Sequence, residues 1–211
     1  MMFLPDEVLA DLDRLLQDPV WRLTHLYEVK DALTGRMVPF VPSAEQREII
    51  LAVHERMERN ILILKARQLG MSTVINLILA DEAVWSAGYQ GSIVDQTQGD
   101  ATLKLRHKVA AAFYSMPEMI REMFEVVKAN DSEFAVRMKG THPDQTSTIF
   151  GGMNARGGTN QGLHVSEWGP IQHKDPVRSE EIMTGALPSA KQGRVFVETT
   201  WMGGKRGISG I

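Results

Sequence analysis

The sequence predicts an α/β fold in which helices flank a mainly parallel central sheet, with a helical arm at the N-terminus. Short apolar segments rich in β-branched residues alternate with segments of helical length, which is typical of right-handed βαβ crossovers. Several of the short segments end in polar residues. Because ligands of parallel sheets bind at the carboxyl ends of the strands, these ends are the expected location of a functional site.

Length and composition narrow the class of protein. The 211 residues are 43% hydrophobic and 23% charged, which is ordinary for one globular domain. No apolar run approaches the roughly 18 residues of a membrane span, and the acidic N-terminus lacks the basic region of a secretory signal. The absence of cysteine excludes disulfides and thiolate metal sites. A net charge of −3 argues against a protein that coats nucleic acid, although a motor touching DNA through one patch is compatible with it.

The predicted organisation is an N-terminal helical arm over residues 1–38 and a main domain over residues 39–211. Apolar residues of the arm follow helical spacing until Pro19 interrupts them. After the arm, Ser43 and Gln46 predict a capping box that starts a helix. Strands are predicted at residues 61–64, 91–94, 124–127, 134–138, 148–150, 163–165 and 195–199, and helices at residues 44–59, 72–86, 101–113 and 175–187.

The most informative segment is ILILKARQLGMST, residues 61–73. A buried strand, a tight loop containing Gly70 and a helix opened by Ser72 form the order of a phosphate-binding loop, in which a helix N-terminus presents N–H groups to anionic oxygens. The usual pattern is G-x-x-x-x-G-K-[ST]. Here Met71 stands in the position of the lysine, and Lys65 stands in that of the first glycine. The segment is therefore either a plain crossover or a phosphate loop whose lysine enters from the other end.

Arg67 favours the phosphate loop. Two cations flanking a tight loop make a costly structural turn but a suitable cradle for phosphate. The hydroxyl of Ser72 is placed to contact Mg²⁺.

A second cluster, GLHVSEWG at residues 162–169, is an apolar strand that ends in a carboxylate. Glu167 is expected to orient or deprotonate a water that attacks the γ-phosphate. The common form ends in two acids, the first of which holds Mg²⁺ through water, and Ser166 replaces that first acid. The alternative for Glu167 is an exposed acid at a strand end. His164 is predicted to be a core residue held by packing or hydrogen bonds.

The last predicted strand ends in Glu198, Thr199 and Thr200. Threonine hydroxyls at this position can sense a γ-phosphate, although β-favouring residues at a sheet edge are the simpler interpretation. The amide of Gln46 could pair as donor and acceptor with adenine.

The helix predicted at residues 101–113 is basic, and its cations are Lys104, Arg106, His107 and Lys108. A solvated helix face is the favoured interpretation. The alternative is a contact with DNA phosphates, which would be salt-sensitive and independent of base sequence.

These clusters occur in the order and spacing of one ATPase family. The chain resembles the ATPase half of the large terminase subunit of tailed double-stranded DNA bacteriophages, the motor that packages DNA into procapsids. The resemblance covers about residues 39–204. It is carried by PSAEQ (42–46), KARQLGMST (65–73), GLHVSEW (162–168) and ETT (198–200).

The resemblance implies a P-loop NTPase of the ASCE type that has Walker A and Walker B motifs and uses ATP and Mg²⁺. A subset of the family carries its lysine at the loop start, so Lys65 takes the role of the phosphate-binding lysine. The implied nucleotide-binding residues are Gln46, Lys65, Ala66, Arg67, Gln68, Leu69, Gly70, Met71, Ser72 and Thr73.

The same resemblance implies catalytic roles for Glu167 and Arg67, with Arg67 reaching the γ-phosphate. Ser72 is the implied Mg²⁺ contact, and Ser166 is a second candidate. Thr199 and Thr200 match the motif that couples hydrolysis to movement. The loop containing Asn154, Arg156, Gly157 and Gly158 is expected to line the site, and Arg156 could equally serve a neighbouring subunit.

The implied partners are double-stranded DNA, the small terminase subunit and the portal protein, in the host cytoplasm and without a membrane. A homo-oligomeric ring, a pentamer, is expected on the procapsid, with a monomer in isolation. The C-terminal nuclease domain of the family is expected to be absent, because few residues follow Thr200. Two alternatives stay open: a helicase-like nucleic-acid-dependent ATPase, and a non-hydrolysing nucleotide-binding module, which the residues Met71 and Ser166 favour.

Overall fold

The computed structural model describes residues 6–66, 69–155 and 158–200. Its elements, in chain order, are α1 (Asp6–Gln17), α2 (Pro19–His25), β1 (Glu28–Lys30), β2 (Met37–Pro39), α3 (Ala44–His54), β3 (Asn60–Lys65), α4 (Met71–Trp85), β4 (Gln90–Val94), α5 (Gln98–Lys104), a π-helical segment (Leu105–Ala110), α6 (Ala111–Ser115), α7 (Glu118–Arg121), β5 (Phe124–Ala129), β6 (Glu133–Met138), a 3₁₀ turn (Pro143–Gln145), β7 (Ser147–Gly152), β8 (Gly162–Val165), α8 (Trp168–Lys174), α9 (Pro176–Glu181), a second π-helical segment (Ile182–Ala186), α10 (Leu187–Ser189) and β9 (Arg194–Thr200).

Seven strands form the central sheet in the order β3-β9-β8-β4-β7-β6-β5. The five strands from β3 to β7 in this order are parallel, whereas β6 and β5 continue the sheet in antiparallel fashion. The predicted α/β fold with a mainly parallel sheet is therefore confirmed. Strand β9 lies between β3 and β8, so the carboxyl ends of these three strands meet at one edge.

Two hydrophobic clusters cover the two faces of this sheet. Consecutive residues of a strand point to opposite faces, and accordingly Ile93 packs in the main cluster and Val94 in the second. In β9, Phe196 and Val195 divide in the same way. The main cluster surrounds α4, which is buried on nearly every side, as expected for a helix that is apolar all round. The helix behind the predicted phosphate loop is thus the centre of the main core.

The N-terminal arm is joined to α4 by a buried ion pair. The guanidinium of Arg22 donates to both carboxylate oxygens of Asp81, at 2.9 and 2.6 Å, and the hydroxyl of Tyr27 donates to the same carboxylate at 2.8 Å. Leu23 and Leu26 belong to the main hydrophobic cluster. Asp18 caps α2 by accepting from two backbone N–H groups, which explains the helix break that the sequence predicts at this point.

Other features were not anticipated from the sequence. The two-stranded antiparallel sheet β1-β2 lies within the arm predicted as helical, and α8 follows β8 directly. The helix predicted at residues 101–113 runs from Gln98 to Ser115 and includes the first π-helical segment. Among the described residues, no helix combines the length and the apolarity needed to cross a membrane.

Candidate active site

The loop between β3 and α4 depends on Gly70. This residue has a left-handed backbone (φ 69°), which glycine adopts without a steric penalty. Its carbonyl accepts a hydrogen bond from Gln46 Nε2 at 3.0 Å, and a Cβ atom at Gly70 would lie 2.5 Å from that nitrogen. Gln46 Oε1 accepts from the Ser43 N–H at 3.0 Å, so the predicted capping box is present. The amide assigned to adenine thus already fastens the loop to α3.

Lys65 lies at the end of β3, in register with Thr200 of β9. Its side chain is 10% exposed, and its ammonium contacts three other site residues. The Nζ atom lies 3.4 Å from Ser72 Oγ, 3.5 Å from Glu167 Oε1 and 3.2 Å from Glu198 Oε2. The structure therefore brings the lysine of the loop start to the serine of the loop end and to the strand-end acid.

Met71, in the usual position of the lysine, is buried in the main hydrophobic cluster with 3% exposure. Its side chain packs in the core under the loop. Ala66 and Leu69 are exposed, and Thr73 is half-buried at the start of α4. Arg67 and Gln68, which the resemblance places on the nucleotide, lie outside the described residues.

Glu167 follows β8 and has an uncommon backbone. Its φ of 56° and ψ of 47° place a non-glycine residue in the left-handed region at the start of α8. Such conformations cost roughly 1–3 kcal/mol and cluster at functional sites. The carboxylate accepts a hydrogen bond from Thr200 Oγ1, which lies 3.1 Å from Oε2. The predicted catalytic acid and one of the two predicted coupling residues are thus in direct contact.

Thr199 connects β9 to α8 in a different way. Its hydroxyl accepts a hydrogen bond from the backbone N–H of Gly169 at 2.9 Å, two residues after Glu167. A displacement of the end of β9 would therefore also displace the turn that carries Glu167.

A second carboxylate, to which the sequence motifs assign no role, lies at the centre of the site. Glu198 of β9 is fully buried, and its Oε1 accepts hydrogen bonds from Ser72 Oγ and from Ser166 Oγ, the latter at 2.9 Å. His164 Nε2 lies 3.2 Å from the same oxygen. Glu198 is thus the residue that joins the loop, β8 and β9.

The surroundings of Glu198 favour its charged form. Burial raises the pKa of this carboxyl, but the His164 imidazole, the Lys65 ammonium and the Ser72 hydroxyl outweigh burial and hold the pKa well below its usual range. Burial lowers the pKa of His164, whose other ring nitrogen lies 3.3 Å from Asn76 Oδ1. His164 is fully buried, so the prediction of a hydrogen-bonded core histidine agrees with its position.

The predicted solvated basic face is wrong for two of its residues. Lys104 forms an ion pair with the buried carboxylate of Asp95, and Lys108 is half-buried. Arg106 instead points outward and pairs with Asp131. Burial, together with the positive charge of Lys104, lowers the pKa of Lys108 to about 8.

Lys108 also lines a cavity of about 670 Å³ beside the start of α4. Thr73 and Leu77 of α4 and residues 28–35 of the arm line the same cavity. The cavity adjoins the loop at the helix N-terminus that the sequence assigns to phosphate.

The loop after β7 is described in part. Asn154 is exposed, and Gly158 has a positive φ of 132°. Arg178 of α9 donates hydrogen bonds to the carbonyls of Met153, at 2.9 Å, and of Gln96, at 2.8 Å, and so fixes where this loop leaves the sheet. Arg156 and Gly157 lie outside the described residues.

Comparisons with known proteins identify solved structures that have a similar fold. No protein-family model and no curated protein sequence matches the chain. The chain is similar to the large terminase ATPase domain of Thermus phage P74-26, with a TM-score of 0.55 and 20% identity, covering 79% of this chain and 72% of that chain. It is similar to the large terminase of bacteriophage HK97, with a TM-score of 0.64 and 14% identity, covering 92% of this chain and 39% of that chain. An arginine-to-alanine variant of the Thermus phage domain gives a TM-score of 0.52 at 19% identity, covering 76% and 70%.

This chain has the fold of a phage large terminase ATPase domain. The chain spans 39% of the length of the HK97 large terminase. The resemblance that the motifs indicated is thereby supported at the level of the fold.

Within this terminase ATPase fold, sequence reasoning missed the roles of Glu198, Asp95 and Lys108. The sequence did contain one indication for Glu198, because it is the single charged residue in a strand predicted at residues 195–199. A charged side chain is rarely buried in such a strand unless it is paired.

Proposed function

We propose that this chain is the ATP-hydrolysing motor domain of a viral large terminase, which drives double-stranded DNA into the procapsid. One observation carries the proposal. The ammonium of Lys65 lies among the Ser72 hydroxyl and the Glu167 and Glu198 carboxylates, where β3, β8 and β9 end. Phosphate-loop enzymes need a cation, a hydroxyl and a strand-end acid in this relationship.

In this proposal, the N-terminus of α4 and Lys65 bind the phosphates of ATP. Backbone N–H groups at a helix N-terminus point at an anion, and the helix dipole favours its negative charge. Arg67 adds a second cation to the same loop, and Gln46 contacts the adenine. The displaced lysine is proposed to supply the charge that Met71, in the core, does not.

Mg²⁺ fits the oxygen groups of the site. Ser72, Glu167 and Glu198 present a hydroxyl and two carboxylates, which are the hard donors that Mg²⁺ prefers, and none of the described residues donates a hydrogen bond to the buried Glu198 Oε2. Within the described ranges, no group of three or more His, Asp or Glu side chains could hold a metal alone. A site completed by nucleotide phosphates is compatible with this finding, since Mg²⁺ is often held by one or two carboxylates plus phosphates. When bound, Mg²⁺ would neutralise charge on the β- and γ-phosphates.

Glu167 is proposed as the carboxylate that orients or deprotonates the attacking water. Thr200 holds one of its oxygens, and the left-handed backbone fixes the direction in which the side chain leaves β8. Thr199 and Thr200 would transmit the state of the nucleotide to α8 and β9.

The macromolecular partners belong to the same proposal. They are double-stranded DNA, a small terminase subunit and a portal protein, in a homo-oligomeric ring, a pentamer, assembled on the procapsid in the host cytoplasm. The isolated chain is proposed to be a monomer with weak basal turnover, because neighbouring subunits complete the site.

The test is phosphate release from ATP by the purified chain, with and without Mg²⁺, double-stranded DNA and procapsids. A terminase motor should show Mg²⁺-dependent turnover that procapsids and DNA together raise most. Stimulation by single-stranded nucleic acid alone would favour the helicase-like alternative. Tight ATP binding with no turnover under any condition would favour the non-hydrolysing module.

A further inference from the structure

The position of Glu198 relative to Ser166 has a chemical consequence. Strands β8 and β9 are parallel neighbours, with Val165 in register with Val197, so Ser166 and Glu198 each follow a paired residue at the same level. Ser166 Oγ donates to Glu198 Oε1 at 2.9 Å. The two side chains therefore meet between adjacent strands, beside the hydroxyl of Ser72.

The common phosphate-loop site has its first acid at the position of Ser166. A carboxylate there and the carboxylate of Glu198 would lie in direct contact inside the protein, and two such groups resist ionising together. This chain has only one of these two acids, Glu198, which lies on the neighbouring strand β9. The short side chain of Ser166 leaves room for the longer one of Glu198.

The contacts of Glu198 exceed what a packing residue needs. A buried carboxylate is costly unless several donors satisfy it, and Oε1 is satisfied by Ser72 and Ser166. Oε2, in contrast, accepts no hydrogen bond from the described residues and lies 3.2 Å from the Lys65 ammonium. One carboxylate oxygen is thus turned toward a cation at the loop, while the other is fastened to β8.

We infer that Glu198, which lies on β9, replaces the missing strand-end acid of β8. Its carboxylate would help to hold the Mg²⁺ of bound Mg-ATP. In this arrangement Ser166 positions Glu198 rather than contacting the metal itself. The carboxylate moves by one strand, just as the loop lysine moves from the end of the loop to its start. This inference rests on the proposed ATPase function.

The test measures how strongly Mg²⁺ promotes nucleotide binding, which does not require turnover. Calorimetric titration with a non-hydrolysable ATP analogue, in Mg²⁺ and in EDTA, gives the ratio of the two affinities. The parent chain should bind more tightly in Mg²⁺. Glu198→Gln should lower this ratio at least tenfold, while Glu58→Gln, the matched control at an exposed carboxylate before the start of β3, should leave it within about twofold. Mn²⁺ electron paramagnetic resonance should show the same loss of analogue-dependent metal binding in Glu198→Gln.

A second variant separates chemistry from folding. Ser166→Asp combined with Glu198→Gln returns the acid to β8, and it should recover most of the Mg²⁺ ratio that Glu198→Gln loses. Thermal unfolding of each variant shows which variants are folded. If Glu198→Gln does not fold, the double variant decides the question. A folded Glu198→Gln chain with the parent ratio, or a folded double variant without recovery, would overturn the inference. A parent chain that binds no nucleotide in either buffer would instead overturn the proposed function.

Discussion

The ammonium nitrogen of Lys65 lies 3.5 Å from a carboxylate oxygen of Glu167, although the two residues are far apart along the chain. One residue ends β3 and the other follows β8, and β9 lies between these strands. The contact therefore depends on the strand order. It makes the first residue of the loop a direct neighbour of the proposed catalytic acid, and the predictions for both residues follow from it.

Replacing Glu167 by Gln should preserve ATP binding and lower hydrolysis by about 10²–10⁴-fold, because the amide cannot accept the proton of the attacking water. The Thr200 hydrogen bond can persist to the amide oxygen, so the fold should be kept. Phosphate release and calorimetric titration measure the two effects. Turnover close to that of the parent would remove Glu167 from its proposed role.

Replacing Lys65 by Ala should weaken ATP binding by roughly 10–100-fold, the effect of losing charge-assisted contacts of about 1.5–3 kcal/mol. The matched control is Met71→Leu, which conserves volume in the core and should leave the affinity nearly unchanged. Equal losses in the two variants would contradict the displaced-lysine proposal.

The burial of Met71 also limits a rescue experiment. Returning a lysine to position 71 in the Lys65→Ala chain would place a cation in the main core, at a site with 3% exposure. We therefore expect lower stability and no recovery of ATP binding from Met71→Lys, because a buried unpaired charge is strongly unfavourable. Thermal unfolding measured with the affinity would distinguish this outcome from a failure of the lysine proposal.

Replacing Asp81 by Asn should destabilise the chain by about 3–5 kcal/mol, because Arg22 would keep its charge in a buried position without a partner. Adding Arg22→Met should cost less than the sum of the single changes, since the orphaned charge is then removed. Denaturant unfolding of the four proteins measures this coupling. Additive losses would show that the pair does not fasten the arm to α4.

Replacing Lys108 by Met should stabilise the chain below pH 8. The pKa of Lys108 falls from its ordinary 10.5 to about 8, so the unfolded chain binds more protons than the folded chain between these values. The stability of the parent should rise with pH across this window, and its disadvantage relative to the variant, at most about 3 kcal/mol, should disappear above pH 10.5. Denaturant unfolding at a series of pH values measures the difference.

The control for this experiment is Arg106→Met. Arg106 lies in the same π-helical segment, but its side chain is 59% exposed. Its removal should change stability by no more than about 0.5 kcal/mol at any pH. A pH-independent difference between the Lys108→Met variant and the parent would show that the charge of Lys108 is not the cause.

Long periodic elements could be predicted from the sequence because their apolar spacing is a direct consequence of burial. Strand β3, helix α4 and strand β4 lie within a few residues of their predicted bounds. The β1-β2 hairpin was missed because each strand has three residues, and those of β2 are all exposed. Helix α8 was missed because Gly169 and Pro170 resemble a loop, although proline is tolerated in a first helical turn.

The candidate site shows a similar division. The chain order of Lys65, Ser72 and Glu167 could be predicted because each follows or begins an element with a clear pattern. The burial of Glu198 could not, since it depends on which strand lies between β3 and β8. The inward position of Lys108 was also hidden, because a π-helical segment changes the angular spacing on which a helical face is predicted.

The left-handed backbone of Glu167 implies that selection for stability and selection for the proposed catalytic role favour different residues at this position. Glycine or asparagine adopts φ near 56° more readily than glutamate does, so either residue should make the turn into α8 easier to form. A laboratory evolution experiment that rewards only heat resistance should therefore drift away from glutamate at this position. Such variants should unfold at a higher temperature and, if Glu167 has its proposed role, hydrolyse ATP more slowly.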